Sequence, residues 1–346
     1  MINLYSDTQT LPTPEMLTAI ASAELGDDVM QADPTVNRLE KMAAGRLEKE
    51  AALLVSSGTM ANLCALMVHC RTGDEVYLDA EAHVYNYEGG GLSSIAGATP
   101  RFVIADRGQL DPEDLKRQIR GDDVHFARAR LLWLENTHCG SGGAVLKPDL
   151  QAELSAIARQ HGLSVHLDGA RIFNAAAALR VPVATLAREV DSVSFCLSKG
   201  LSCPIGSLLV GSADFIAEAR RVRKRLGGGM RQAGIIAACG LVALEATVQR
   251  LADDHENAAA LASELYQVDG LEVDPRSVET NMVFADVSDW KVDCFAAQKA
   301  LAAEGVLVSE MEGSLIRLVT HRGFSRKDVA EVREVFDRVA KGFLGA

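Results

Sequence analysis

The chain has 346 residues, a length that favours one large and one smaller domain over a single core. Its 48% hydrophobic and 24% charged residues are globular values, and no window nears the roughly 20 unbroken apolar residues of a membrane span. With 35 Lys plus Arg against 47 Asp plus Glu, the net charge of −12 argues against nonspecific binding to nucleic acid or anionic membrane.

The opening MINLYSDTQT lacks the basic head and apolar stretch of a signal peptide. The seven cysteines are odd in number and scattered from Cys64 to Cys294, so a reducing cytoplasm is expected. No internal repeat, low-complexity tract or metal-type Cys/His spacing occurs. Residues 53–67, LLVSSGTMANLCALM, run from a short apolar stretch through Ser56-Ser57-Gly58-Thr59 into a helix-forming segment. That is the outline of an anion cradle, with free helix N–H groups and small residues, or of a plain N-cap without a ligand. Without the Gly-Lys-Ser/Thr ending of a P-loop, or GxGxxG, it does not suggest a nucleotide.

VYLD (76–79) reads as a strand, and the segment 77–91 offers His83, Tyr85 and Tyr87. These rings could stack on a planar group or simply pack a loop. A helix over 111–119, a strand LLWLE (131–135) and a helix over 147–161 follow. LSVHLD (163–168) then stops on Asp168-Gly169-Ala170-Arg171, SVSFCL (192–197) on Ser198-Lys199-Gly200, and GSLLVG (206–211) completes the series. The alternation predicts an α/β fold with a mostly parallel sheet covered on both faces. The basic run 220–234, RRVRKRLGGGMRQAG, stands out in an acidic chain. It is a solvated helix face, or Lys224 and Arg231 flank a turn that brings both to a phosphate, including one of a neighbouring subunit. Beyond residue 250 come a helix-like run, short strands near 271–274, 281–286 and 315–319, and a final helix. The expected division is therefore 1–250 for the large domain and 251–346 for a small α+β domain.

Ligands of open α/β sheets bind beyond the carboxyl ends of the strands, where Asp168 and Lys199 are expected. An acid, a primary amine and a phosphate cradle are what pyridoxal phosphate requires. Taken singly, Asp168 is equally an N-cap for ARIFNAAAAL and Lys199 an ordinary solvated lysine.

Read in order, Ser57-Gly58-Thr59, His83, DGAR, SKG and GGGMRQAG resemble the L-threonine aldolase family, low-specificity type, within fold type I of pyridoxal-phosphate enzymes. The resemblance runs from LYSDTQTLPTPEM through GDDVMQADPTVNRLE and SSGTMANLCAL to IRLVTH at 316–321. It implies a large domain with a mostly parallel seven-stranded sheet, a small C-terminal domain, and a homo-oligomer (dimer or tetramer) with active sites at the subunit interface. The implied reaction is reversible cleavage of L-threonine, L-allo-threonine and related β-hydroxy-α-amino acids to glycine and an aldehyde. The same fold also carries β-eliminating lyases, aminotransferases and racemases.

The implied roles are carried over position by position. Lys199 is the Schiff-base lysine, Asp168 the partner of the pyridinium nitrogen, and His83 the ring stacked on the cofactor. Ser57, Gly58 and Thr59 hold the phosphate, with Lys224 and Arg231 approaching across a subunit contact. Ser6, Arg171 and Arg317 hold the substrate carboxylate, Arg171 lying at the cofactor as well, and His125 in DDVHFARARLL sits near the β-hydroxyl. His83, His125 or a bound water takes the hydroxyl proton; no metal is implied. Two departures touch substrate preference: Met30 stands where family members commonly have tyrosine, and NTHCGSGGAVLKP (136–148) is longer and richer in glycine than usual.

Overall fold

The computed structural model describes residues 1–345. Seven strands form the main sheet: β1 (Ala51–Val55), β2 (Glu75–Leu78), β3 (Thr99–Phe102), β4 (Ala129–Glu135), β5 (Ser164–Asp168), β6 (Ser192–Cys196) and β7 (Ser207–Gly211). Their spatial order is β1-β7-β6-β5-β4-β2-β3, and only β7 runs antiparallel to its neighbours. The expected mostly parallel seven-stranded sheet is present.

Side chains alternate between two faces, as the period of two demands. Leu54, Leu132, Leu134, Val165 and Leu167 enter one buried cluster, while Leu53, Val55, Leu131 and Trp133 enter another. Because helices cover both faces, these strands read as continuous apolar runs rather than half-polar ones. Register then does the positioning. Glu135 lies beside Asp168, and Asp168 beside Ser194, so the polar ends of β4 and β5 lie level with the middle of β6, whose own end runs two residues further along the same edge.

A second core gathers Leu4, Ala258, Leu261, Val283, Trp290, Ile316 and Phe336. Its antiparallel sheet comprises β8 (Met282–Asp286), β9 (Ser309–Glu310) and β10 (Leu315–Val319), in the order β8-β10-β9. The strand expected near 271–274 does not form. Between the left-handed Gly270 and Pro275 only Glu272 pairs, in an isolated bridge to Asp286.

One continuous helical run, Gly234–Leu265, joins the two cores, with a π-helical turn at Ala243–Thr247. By length and composition it could cross a membrane, yet Ala237, Leu244 and Leu251 fill the first core and Ala258, Leu261 and Leu265 the second. The expected boundary at 250 therefore falls inside a helix. The N-terminal segment also crosses that division: Ile2–Asn3 pairs in parallel with Val306–Leu307, and Leu4 is wholly buried in the second core. From there a 3-10 turn, Asp7–Gln9, leads the chain back to the ends of β5 and β6.

Candidate active site

Asp168, the last residue of β5, is buried and accepts hydrogen bonds on both oxygens. The Ala170 N–H donates to Oδ1 at 3.0 Å and the Asn62 amide to Oδ2 at 2.8 Å. Asn62 sits on the helix Gly58–His69. Its amide also donates to Glu88 Oε1 at 2.7 Å, while its Oδ1 accepts from the Ser194 hydroxyl at 2.9 Å. Glu88 Oε1 lies 2.9 Å from His83 Nδ1, and the His83 backbone N–H donates to Glu135 Oε2 at 2.9 Å. Burial works against charge on this imidazole. The bond to Glu88 and the negative charges of Asp168 and Glu88 outweigh it, despite repulsion from Lys199, and hold His83 above its ordinary range.

Lys199 follows β6, and its carbonyl accepts from the Thr10 hydroxyl at 2.8 Å. Its ammonium acts electrostatically on both His83 and Asp7. The adjoining Gly200 is required by close approach, since a Cβ there would stand 2.9 Å from Leu251. Beyond the end of β1, which β7 separates from β6, Ser57 Oγ caps the helix Gly58–His69 by accepting from the Met60 N–H at 3.2 Å. A Cβ on Gly58 would meet Cys196 Sγ at 2.9 Å, so only glycine lets the helix start this close to β6. The first N–H groups of a helix have no partner within it and favour an anion. An amine, a buried carboxylate and a helix N-terminus beyond the carboxyl ends of β6, β5 and β1 are a donor set that fits a phosphorylated pyridine aldehyde.

A cavity of about 460 Å³ opens between His83, Tyr87 and Cys139 on one side and Ser309, Met311 and Arg317 on the other. Arg317, on β10, directs Nη1 at Cys139 Sγ (3.5 Å) and Nη2 at Ser309 Oγ (3.3 Å). The glycine-rich loop before it is compact. Cys139–Ser141 forms a 3-10 turn, His138 bridges Ala144, and Gly142 and Gly143 take left-handed φ of 70° and 75°. A Cβ on Gly143 would lie 2.4 Å from Thr280 Oγ1, which accounts for the glycine there.

Several expected residues stand differently. Arg171 is not a free clamp: its Nε and Nη2 donate to Asp7 at 2.7 and 2.6 Å, leaving Nη1, 4.0 Å from Cys139 Sγ. A fully buried carboxylate demands such a partner. Burial opposes ionisation of Asp7, but Arg171 overrides it and holds the carboxyl far below the usual range; Arg171 is raised in turn. Ser6 Oγ caps the adjacent turn, accepting from the Thr8 N–H at 3.2 Å.

His125 does not join the site within this chain. β4 begins only at Ala129, and the 82%-exposed ring bonds to Asp123 at 2.7 Å. Glu135 is the last of the seven residues of that strand, roughly 20 Å from its start. Lys224 lines a different cavity, of about 550 Å³, with Arg220 and Arg223, and the exposed Arg231 pairs with Asp27 at 2.8 Å. Among the described residues neither bonds to Ser57, Gly58 or Thr59. Tyr87 lies 5.6 Å from the His83 ring, whereas Tyr85 packs edge-on against Phe102. Met30 ends a 3-10 turn and is exposed.

The sequence pattern of the beta-eliminating lyase family matches residues 3–289. Low-specificity L-threonine aldolase 1 of Arabidopsis thaliana is 44% identical over 333 residues, covering 95% of this chain and 93% of that protein. The low specificity L-threonine aldolase of Escherichia coli K12 is 43% identical, covering 96% and 97%. The chain belongs to the low-specificity L-threonine aldolase family. Among solved structures, the threonine aldolase of Leishmania major superposes with a TM-score of 0.82 at 20% identity, over 98% of this chain and all of that one. A structure of SPT with its PLP internal aldimine superposes at 0.78 with 18% identity, over 100% and 88%. The fold is that of the type I pyridoxal-phosphate enzymes.

Within this family site, sequence reasoning missed Asp7, Asn62, Glu88, Glu135 and Cys139. Asp7 adjoins Ser6 in the SDT motif and Glu88 precedes a glycine triplet, but Asp7 and Arg171 are 164 residues apart, and no local pattern links them.

Proposed function

We propose that this chain is a pyridoxal-phosphate-dependent aldolase that cleaves L-threonine, L-allo-threonine and related β-hydroxy-α-amino acids to glycine and an aldehyde, reversibly. The observation that carries the reading is that Asp168 and Lys199 both act electrostatically on His83 at the sheet edge, with Arg317 facing His83 across a cavity. When bound, the cofactor supplies a carbonyl for amine exchange and a ring that takes up the electron pair left by Cα–Cβ cleavage.

The chain's own residues do the rest. Lys199 provides the amine, Asp168 keeps a proton on the ring nitrogen, and the N-terminus at Ser57, Gly58 and Thr59 holds the phosphate. Arg317 carries the main share of the substrate carboxylate, with Ser6 and the Nη1 of Arg171, the nitrogen not given to Asp7, assisting. Within one chain the β-hydroxyl proton falls to His83 or to water it orders.

The basic groups Lys224 and Arg231 are consistent with a homo-oligomer in which they complete a neighbour's phosphate site. Seven unpaired cysteines favour a reducing cytoplasm. Product analysis tests the reading. Glycine plus acetaldehyde from L-threonine supports it, whereas a keto acid plus ammonia would make the chain a β-eliminating lyase.

A further inference from the structure

We propose that Glu88 is a positioning residue of this site, its buried carboxylate fixing the His83 ring and, through the Asn62 amide, tying that ring to the Asp168 carboxylate as one hydrogen-bonded unit. Its catalytic meaning rests on the aldolase reading; the hydrogen-bond chain does not.

The Glu88 side chain is 1% exposed, and among the described residues no lysine or arginine touches it. Asn62 and His83 are its donors, both on Oε1, and Oε2 is buried without a partner. A buried carboxylate in that condition favours a protonated partner, and His83 is the titratable group bonded to it. With Nδ1 committed to Glu88, Nε2 is the remaining nitrogen of a ring that lines the substrate cavity. Ser194 settles the other end. By donating to Asn62 Oδ1 it turns both amide hydrogens toward the two carboxylates, one to Glu88 and one to Asp168. The bonding atoms of His83, Glu88 and Asp168 consequently lie within 4.8 Å of one another. An amide wedged between two like charges stabilises both and transmits a shift in either to the other.

His83 is faced by Glu88 and Tyr87 from its own loop, Glu135 from β4, Asp168 from β5, Lys199 beyond β6 and Arg317 from β10. Of these, Glu88 alone bonds the ring, and with the charge of Asp168 it opposes burial and Lys199 in raising the ring's proton affinity.

The test follows the His83 Cε1 resonance of the full-length protein, labelled with ¹³C-histidine, with and without pyridoxal phosphate, assigned by its loss in His83→Asn. In the parent protein His83 should titrate above 6.5. Glu88→Gln keeps the shape but removes the charge, and should lower the midpoint by about one pH unit or more. Asn62→Ala releases Oε1 to His83 alone and should raise it. An unmoved midpoint in Glu88→Gln overturns the proposal, even if the variant melts earlier, because a purely structural carboxylate would alter stability alone. Should Glu88→Gln not fold, Asn62→Ala decides by itself, and an unchanged midpoint there overturns the chain. Neither result depends on which product L-threonine yields, so the aldolase reading and this one fail separately.

Discussion

Asp7 and Arg171 form a buried, two-pronged ion pair, with Oδ1 2.6 Å from Nη2 and Oδ2 2.7 Å from Nε. The contact ties the N-terminal segment to the end of β5. It also removes most of one guanidinium from any anion in the cavity. Breaking such a pair from one side leaves an uncompensated buried charge, at a cost of about 3–5 kcal/mol. Asp7→Ala should therefore lower unfolding free energy by about that much in denaturant titration. A loss below about 1 kcal/mol would show that water or a rearranged loop replaces the partner.

Lys199→Ala should leave no cofactor that borohydride can fix to the chain, and turnover should fall on the order of 10⁴-fold or more. Mass analysis of the reduced protein is the check. Cofactor still fixed, at another lysine, would move the amine role elsewhere.

Acid should destabilise the fold through its neutral histidines. Burial pushes His69 and His255 down to about 4, and His166 well below its ordinary value. The unfolded chain protonates near 6.5, so between about 4 and 6.5 it binds more protons than the folded one. Their contribution is present above about 6.5 and is lost as pH falls. His83 and His138, held up by their carboxylate partners, act in the opposite sense, adding stability that is lost as pH rises through their folded values. His255, whose Nε2 meets the Asn174 amide at 3.1 Å, isolates the first effect. His255→Gln should reduce the stability difference between pH 7 and pH 5 by on the order of 2 kcal/mol. An undiminished difference would remove His255 from the account.

A thiol reagent in limited amount should reach Cys139 before any other cysteine. The other six are buried, and burial pushes the Cys64 and Cys70 thiols up to about 12 and the Cys203 thiol higher still. Cys139 Sγ lies on the cavity, 3.5 Å from Arg317. Peptide mapping after iodoacetamide should find it first, and L-threonine or glycine should slow the labelling. First labelling of a buried cysteine would mean that the fold opens before the cavity is entered.

Much of this architecture is local in origin and therefore readable from the chain. The strands from β4 to β7, the helices at 112–118 and 148–160, and the abrupt polar endings at Asp168 and Lys199 follow from runs of a few residues whose hydrophobicity and periodicity set element type and orientation. A parallel sheet then obliges those endings to share one edge, so the acid and the amine could be placed together without coordinates. The order of motifs was enough to indicate the family.

Tertiary structure decided the partners. Arg171 belongs to Asp7 because a wholly buried carboxylate must be neutralised by whatever cation the fold brings to it, across 164 residues here. His125 is left in solvent because it lies on the polar segment before Ala129, where β4 starts, at the end of that strand opposite Glu135. Glu88 acquires its partners only when a loop, a helix and two strands converge on one amide. Periodicity is a property of neighbours along the chain, whereas charge compensation in a low-dielectric interior depends on distance in space, and that distance is set only once both cores have closed.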